Sequence, residues 1–168
     1  TNAHVIEGGQ AIYVRAYDGS QFRAEKIKTD SELDLGLVRI VSAPRKFSAV
    51  TIGNSNDVRR GDPITVIGNP LGARFEHSVL SGTISGSNRE KGLLQLSIPT
   101  YSGLSGSPVF NSKGKVIAII TSLPKYLTTQ KVIVEKQLVE RGAIALAHNI
   151  GLVVPINYAR QILELAKP

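Results

Sequence analysis

The chain has 168 residues, of which 42% are hydrophobic, and it contains no cysteine. This length and apolar content fit one compact domain, while the lack of cysteine excludes disulfides, thiolate zinc sites and a cysteine nucleophile. The formal net charge is +7, but the basic residues are scattered and few aromatic residues lie among them, so we expect no nucleic-acid partner. No apolar run approaches the roughly 18 residues of a membrane helix, and we expect no transmembrane segment.

Short runs rich in Val, Ile, Leu and Tyr alternate with Gly, Asn, Asp and Pro along most of the chain. In order they are AIYVRA, FRAEKIK, LGLVRI, PITVIG, SVLSGTIS, LLQLSI, KVIAIIT and GLVVPI. Short strands punctuated by turn residues are typical of an antiparallel all-β protein. Asp18-Gly19 predicts a hairpin between the first two runs, and Lys113-Gly114 predicts another between PVF and KVIAII.

The end of the chain carries a different periodicity. Apolar residues recur every three to four positions in INYARQILELAKP, which predicts an amphipathic helix with Asn157 as its N-cap. We expect this helix to pack on the β-strands, as on a barrel. These apolar positions are Ile156, Ala159, Ile162, Leu163 and Ala166. A second segment, TTQKVIVEKQLVERG, carries competing helix and strand signals that the sequence does not resolve.

Ser105 lies in the stretch TYSGLSGSPVF, residues 100–110, where two glycines flank it closely. A serine nucleophile needs a base, a group that orients the base, and N–H donors for the oxyanion. Gly103 and Gly106 permit a tight backbone that turns successive N–H groups toward one point. A glycine-rich turn without chemistry explains this stretch equally well when it is considered alone.

The candidates for the base are the three histidines, His4, His77 and His148. For any one of them alone, a solvated or hydrogen-bonded structural role is the ordinary explanation.

Five stretches, taken together, resemble successive motifs of the chymotrypsin-like HtrA/Deg serine proteases. They are TNAHV, LDLGLVRI, GDPITVIGNPLG, SGTISG and GLSGSPVFNSKGKVIAI, and they occur in the family's order. The resemblance implies His4 as the base, Asp34 as the orienting carboxylate and Ser105 as the nucleophile. It also implies an oxyanion hole formed by the amides of Gly103 and Ser105, with no metal and no organic cofactor.

Two aspartates compete for the role of the carboxylate. Asp34 stands between Leu33 and Leu35 at the start of a strand, where partial desolvation suits a group that orients a histidine. Asp30 lies in the polar KTDSE stretch, and a turn or a solvated charge explains it better.

The resemblance implies a trypsin-like double antiparallel β-barrel with a C-terminal helix. We expect one protease domain over residues 1–168 whose N-terminal barrel is open, because two strands that precede the histidine in the family are missing from the given chain. Residues 123–148 are expected to be an insertion, and we expect no PDZ domain within the given chain. By resemblance, the compartment would be the periplasm, the cell envelope or an organelle lumen.

The primary specificity pocket of this family lies between the segment before the serine and the last strand. The corresponding residues here are Thr100, Ile150 and Leu152, and no acidic residue accompanies them. A basic side chain would therefore find no partner, whereas a small aliphatic one would fit. The resemblance implies cleavage of extended or unfolded polypeptides after such residues, and it allows a homo-oligomer. Alternatively, Ile150 and Leu152 are strand residues that face the core.

Two residues depart from the family's GNSGGP pattern. Leu104 replaces the polar residue before the serine, and Ser107 replaces the second glycine after it. Leu104 cannot make a side-chain hydrogen bond that braces the loop, and Ser107 raises the question of close backbone packing. An alternative function is thus a protease-like domain with little or conditional turnover that binds peptides or partner proteins. A third, weaker hypothesis is a basic domain that binds nucleic acid.

Overall fold

The computed structural model describes residues 1–42, 46–88, 92–121, 125–134, 137–146 and 150–165. The helices and strands in chain order are α1 (Ala3–Ile6), β1 (Ile12–Arg15), β2 (Gln21–Asp30), β3 (Leu35–Ile40), β4 (Pro63–Gly68), β5 (Ser78–Asn88), β6 (Leu93–Leu96), β7 (Pro108–Asn111), β8 (Val116–Ile120), β9 (Lys125–Val134), β10 (Gln137–Leu146), β11 (Gly151–Pro155) and α2 (Ile156–Leu165). Every strand run expected from the sequence is confirmed. Neither described helix is long and apolar enough to cross a membrane.

The first half of the molecule is an antiparallel sheet with strand order β1-β2-β3. The β1–β2 hairpin closes as predicted, with the Ala16 amide donating to the Ser20 carbonyl at 2.8 Å. Gly19 in this turn has φ 84°, a left-handed conformation that favours glycine. Within the described residues this half remains an open three-stranded sheet, as expected for an N-terminal barrel that is not closed.

The second half is a closed barrel in the order β11-β6-β5-β4-β7-β8. The predicted β7–β8 hairpin is confirmed, since the Asn111 amide donates to the Lys115 carbonyl at 3.0 Å. Aliphatic side chains fill the barrel, and burying each contributes about 1.5–3 kcal/mol. The buried residues are Ile64, Val66, Ile84, Leu96, Ile98, Leu104, Val109, Ile117, Ala118, Ile120 and Val153. The all-β fold class is thus confirmed, with one closed antiparallel barrel and one open sheet.

Helix α2 packs where the sheet meets the barrel. A second buried cluster joins Leu35 of β3, Leu152 of β11 and Ile162 of α2. The expectation that Asn157 caps this helix is wrong, because the helix already begins at Ile156. A tertiary partner supplies the cap instead: Ser55 Oγ accepts from the Asn157 amide at 3.3 Å.

The segment whose type the sequence left open forms strands. β9 and β10 pair antiparallel from Lys125↔Leu146 to Val134↔Gln137, as a two-stranded sheet that is separate from the barrel ladder. Its role as an insertion stays a prediction.

Candidate active site

The short helix α1 carries His4 between two buried anchors. Ala3 and Ile6 are buried, whereas the His4 side chain is 43% exposed. Gly36 of β3 permits this packing, because a Cβ at that position would lie 2.6 Å from Ile6 Cδ1. The helix is therefore fixed on β3 by its apolar residues, while the imidazole stays accessible.

Asp34 holds the His4 ring with both carboxylate oxygens. Its Oδ2 lies 2.8 Å and its Oδ1 2.9 Å from His4 Nδ1, and Oδ1 also accepts from the His4 amide at 3.1 Å. A carboxylate is an acceptor only, so Nδ1 carries the proton and Nε2 of a neutral ring is left as an acceptor. This is the tautomer that a general base needs.

Thr121 is a member of the site that the sequence reasoning missed. Its Oγ1 donates to Asp34 Oδ2 at 2.7 Å, from the position directly after β8. Burial raises the pKa of the Asp34 carboxyl, but the hydrogen bonds from the Thr121 hydroxyl and from the His4 amide and ring outweigh it, and the net pKa is below its ordinary value of 3.8. The carboxylate is therefore ionised at neutral pH.

Asp30, the competing aspartate, has a local role. Its Oδ1 accepts from the amides of Glu32 at 3.1 Å and Leu33 at 2.9 Å. These bonds close the turn that leads to Asp34, in agreement with the turn role expected for Asp30.

Ser105 lies in a tight turn, residues 101–107, which we call the Ser105 turn. The Leu104 amide donates to the Tyr101 carbonyl, the Ser107 amide to the Leu104 carbonyl and the Gly106 amide to the Ile120 carbonyl. By contrast, the amides of Gly103 and Ser105 donate to no backbone carbonyl in the part of the chain that the structure describes. Gly103 has φ 94° and Gly106 φ 81°, so the backbone that frees these two amides requires glycine.

The two departures from the family pattern are both accommodated by packing. Leu104 is 0% exposed and belongs to the barrel core, so an apolar anchor takes the place of a polar brace. Ser107 is buried against Gly68, where a Cβ would lie 2.3 Å from Ser107 Oγ and 2.8 Å from Leu104 Cδ2. The missing side chain of Gly68 thus provides the room that Ser107 needs.

The Ser105 turn adjoins the His4–Asp34 pair through two short connections. A Cβ on Gly106 would lie 2.9 Å from Thr1 Oγ1, so the turn abuts the chain just before α1. The Gly106 amide also donates to the carbonyl of Ile120. The next residue, Thr121, donates to the Asp34 carboxylate. The structure therefore places Ser105, which is partly exposed, on a turn in contact with the segment that bears His4.

The expected pocket residues do not share one face. Thr100 is buried, and its Oγ1 donates to the Ile150 carbonyl at 3.4 Å. Gly151 faces Thr100, since a Cβ there would lie 2.7 Å from Thr100 Cγ2. Leu152 is 9% exposed and packs in the second core cluster, and successive strand residues point to opposite faces. Leu152 therefore packs in the core, as in the alternative expectation for this strand residue, and its role in substrate binding stays a prediction.

Of the two other histidines, only His77 is among the described residues, and its ring contacts the β1–β2 hairpin. His77 is exposed, with φ 57°, and its ring centroid is 4.8 Å from that of Tyr17. Next to it, Glu76 pairs with Arg15 of β1, so these contacts join the β1–β2 hairpin to the loop before β5. His148 lies outside the described residues. Among the described residues, no three His, Asp or Glu side chains come together as possible metal ligands.

Comparison with known proteins agrees with this geometry. Residues 1–119 match the family described as trypsin-like peptidase domain. The chain belongs to that family. This trypsin-like peptidase domain is 36% identical over 129 residues to the "probable periplasmic serine endoprotease DegP-like" of Brucella suis, a match that covers 73% of this chain and 25% of that protein.

Two further relatives and a solved structure place the domain among HtrA-like proteases. It is 35% identical over 130 residues to "serine protease Do-like HtrB" of Bacillus subtilis, covering 71% of this chain and 28% of that protein. It is 33% identical over 177 residues to the DegP-like endoprotease of Rickettsia prowazekii, covering 99% and 31%. The structure "HtrA-type protease AlgW with tripeptide" superposes with a TM-score of 0.76 at 26% identity, covering 98% of this chain and 50% of that one. The chain thus spans 25% to 31% of these curated relatives.

Proposed function

We propose that this domain is a serine endopeptidase that cleaves extended or unfolded polypeptides through an acyl-enzyme on Ser105. The observation that carries the proposal is the His4 Nδ1 contact with Asp34 at 2.8 Å, held in turn by Thr121. In a histidine oriented in this way, Nε2 is the nitrogen that accepts a proton from a hydroxyl.

Each step of the reaction is assigned to a group of this chain. Ser105 Oγ attacks the scissile carbonyl while His4 Nε2 takes its proton, and Asp34 stabilises the imidazolium that forms. The amides of Gly103 and Ser105 donate to the oxyanion, and their lack of backbone partners in the described residues supports this role. His4 then returns the proton to the leaving amine, and water, activated by the same base, releases the acyl group.

The substrate preference rests on the surroundings of Thr100. This residue is buried beside Ile150 and Gly151, and none of these side chains is charged. A basic side chain would find no partner there, so we propose cleavage after small aliphatic residues. The tripeptide named with AlgW supports a peptide as the ligand.

Location and assembly follow from the relatives alone. The relatives from Brucella suis and Rickettsia prowazekii are named periplasmic endoproteases, and we propose the periplasm or cell envelope for this protein. A homo-oligomer is proposed on the same family basis.

The test is hydrolysis of an unfolded polypeptide by the full-length protein and by Ser105→Ala. We expect the rate to fall by several orders of magnitude, with the fold unchanged by circular dichroism, because loss of such a serine removes the covalent step. Ser102→Ala is the matched control, since it removes an exposed hydroxyl of the same turn, and its rate should equal that of the parent. A Ser105→Ala protein that retains a tenth of the rate would exclude Ser105 as the nucleophile.

A further inference from the structure

Asn2 is an N-cap residue whose side chain does not cap its helix. It is the N-cap residue of α1, with φ −87° and ψ 154°, and it is 0% exposed. Asparagine is favoured at an N-cap because its side-chain oxygen accepts a helix amide. The Asn2 side chain makes no such bond.

The amide of Asn2 is directed instead at the backbone of Asp34. Asn2 Nδ2 donates to the Asp34 carbonyl at 2.8 Å. The other end of the same amide, Oδ1, is buried and accepts no hydrogen bond from any described residue. A buried acceptor without a partner costs free energy. The observed orientation of the Asn2 side chain therefore has two costs, the missing cap bond and the unsatisfied Oδ1, against one bond to Asp34.

The backbone of Asp34 has a strained conformation that an added hydrogen bond can stabilise. Its φ is 53°, in the left-handed region that residues other than glycine rarely adopt. Conformations of this kind persist only when their surroundings impose them. Besides Asn2, the backbone there is held by the Gly36 amide, which donates to the Thr1 carbonyl at 2.8 Å. Both bonds join the segment just before His4 to the residues around Asp34.

We propose that Asn2 is a positioning residue that fixes the strained backbone of Asp34 relative to α1, so that both carboxylate oxygens meet His4 Nδ1. This inference rests on the proposed function, because the arrangement that Asn2 maintains is the one that would activate Ser105. Asn2 itself is buried and bonds to the Asp34 carbonyl, so it acts through Asp34.

Asn2→Leu is the decisive variant. Leucine is similar in size to asparagine and removes both the donor to Asp34 and the unsatisfied oxygen. Because the Asp34 carbonyl loses this donor, we expect lower stability with the fold kept. We expect kcat/KM and the rate of fluorophosphonate labelling at Ser105 to fall at least tenfold. The far-downfield proton resonance of His4 Nδ1, which reports the bond to Asp34, should weaken or shift upfield.

Asn2→Ser provides a second test if the leucine variant does not fold. Serine is a good N-cap residue, so α1 keeps its start, but its side chain is too short to replace the bond to the Asp34 carbonyl. The same losses are expected.

Asn54→Ala is the matched control. Asn54 is also an N-cap, of the turn Ser55–Asp57, and accepts conventionally from the Asn56 amide at 3.1 Å. Its removal should lower stability and leave the His4 resonance unchanged.

The outcomes separate this inference from the proposed function. A folded Asn2→Leu or Asn2→Ser protein that keeps the parent's His4 resonance and labels within twofold of the parent overturns the role of Asn2. If the parent shows neither labelling nor hydrolysis, the proposed function fails, whereas the resonance still decides whether Asn2 positions the pair.

Discussion

The two parts of the candidate site are held by different forces. The side chains of His4 and Asp34 are oriented by polar contacts: Asp34 bonds to the His4 ring, Thr121 donates to the Asp34 carboxylate and Asn2 donates to its carbonyl. The Ser105 turn is fixed by burial of Leu104 in the barrel core and by the close approach that Gly68 permits. Hydrogen bonds set direction and change the pKa of the groups they hold, whereas apolar packing sets position without charge. Substitutions should therefore separate the two parts experimentally.

We expect the largest effect on activity from replacing the carboxylate of the polar part, Asp34. Asp34→Asn keeps the shape but presents an amide to His4 Nδ1, which favours the wrong tautomer, and kcat should fall by about 10⁴-fold. Asp30→Asn is the control, because Asp30 only closes a turn, and its activity should stay close to that of the parent. Steady-state hydrolysis by both variants gives the ranking, and the reverse ranking would assign the orienting role to Asp30.

Substitutions in the apolar part of the site should lower the free energy of unfolding. Leu104→Ala removes a fully buried side chain from the core, and we expect a loss of about 2–5 kcal/mol in the free energy of unfolding. Tyr101→Ala, at an exposed position of the same turn, should change it by less than about 0.5 kcal/mol. Denaturant titration measures both variants. Equal stabilities would show that the core does not hold the Ser105 turn.

The contact between Gly68 and Ser107 offers a smaller test of the same packing. Gly68→Ala places a methyl group against Ser107 Oγ and Leu104 Cδ2, and overpacking of this kind costs about 1–3 kcal/mol. Ser107→Gly should recover part of that loss, since it removes one of the two clashes. A double-mutant cycle in denaturant measures the coupling, which the account requires to be at least about 0.5 kcal/mol. Strict additivity would contradict it.

The smallest effect concerns acid stability. Because the hydrogen bonds of Asp34 hold its pKa below 3.8, its ionised form favours the folded state above that value. That contribution is complete above about pH 5 and is lost as the pH falls through the folded-state pKa. Thr121→Val removes one of these hydrogen bonds, so its stability should fall less steeply with acid than that of the parent. Unfolding curves between about pH 5 and pH 2 measure the slopes, and identical slopes would refute the role of Thr121.

Local patterns predicted the parts of the fold that depend on local chemistry. Asp18-Gly19 closes its hairpin because glycine accepts the required backbone, whatever lies elsewhere in the chain. The candidates His4, Asp34 and Ser105 were found through their resemblance to family motifs. Thr121 could not be found in this way, since nothing near it in sequence shows that its hydroxyl meets Asp34.

The features that the sequence did not determine depend on tertiary contacts. The sequence leaves open whether Leu152 faces the pocket or the core, and in the structure it packs in the core cluster with Leu35 and Ile162. The sequence predicts Asn157 as a helix cap, but Ser55, distant in the chain, accepts from the Asn157 amide and provides the cap. Gly68 provides the room for Ser107, and nothing in the sequence around Ser107 indicates this contact. Each outcome was decided by a partner far away in sequence.

Labelling of the full-length protein with a fluorophosphonate probe, with the adduct located by mass spectrometry, tests the central claim most directly. We expect one adduct, on Ser105, formed much more slowly in Asp34→Asn, because the probe reacts only with a serine that a base has activated. An unlabelled Ser105 in a protein that is folded by circular dichroism would contradict the account and favour a domain that binds peptides without cleaving them.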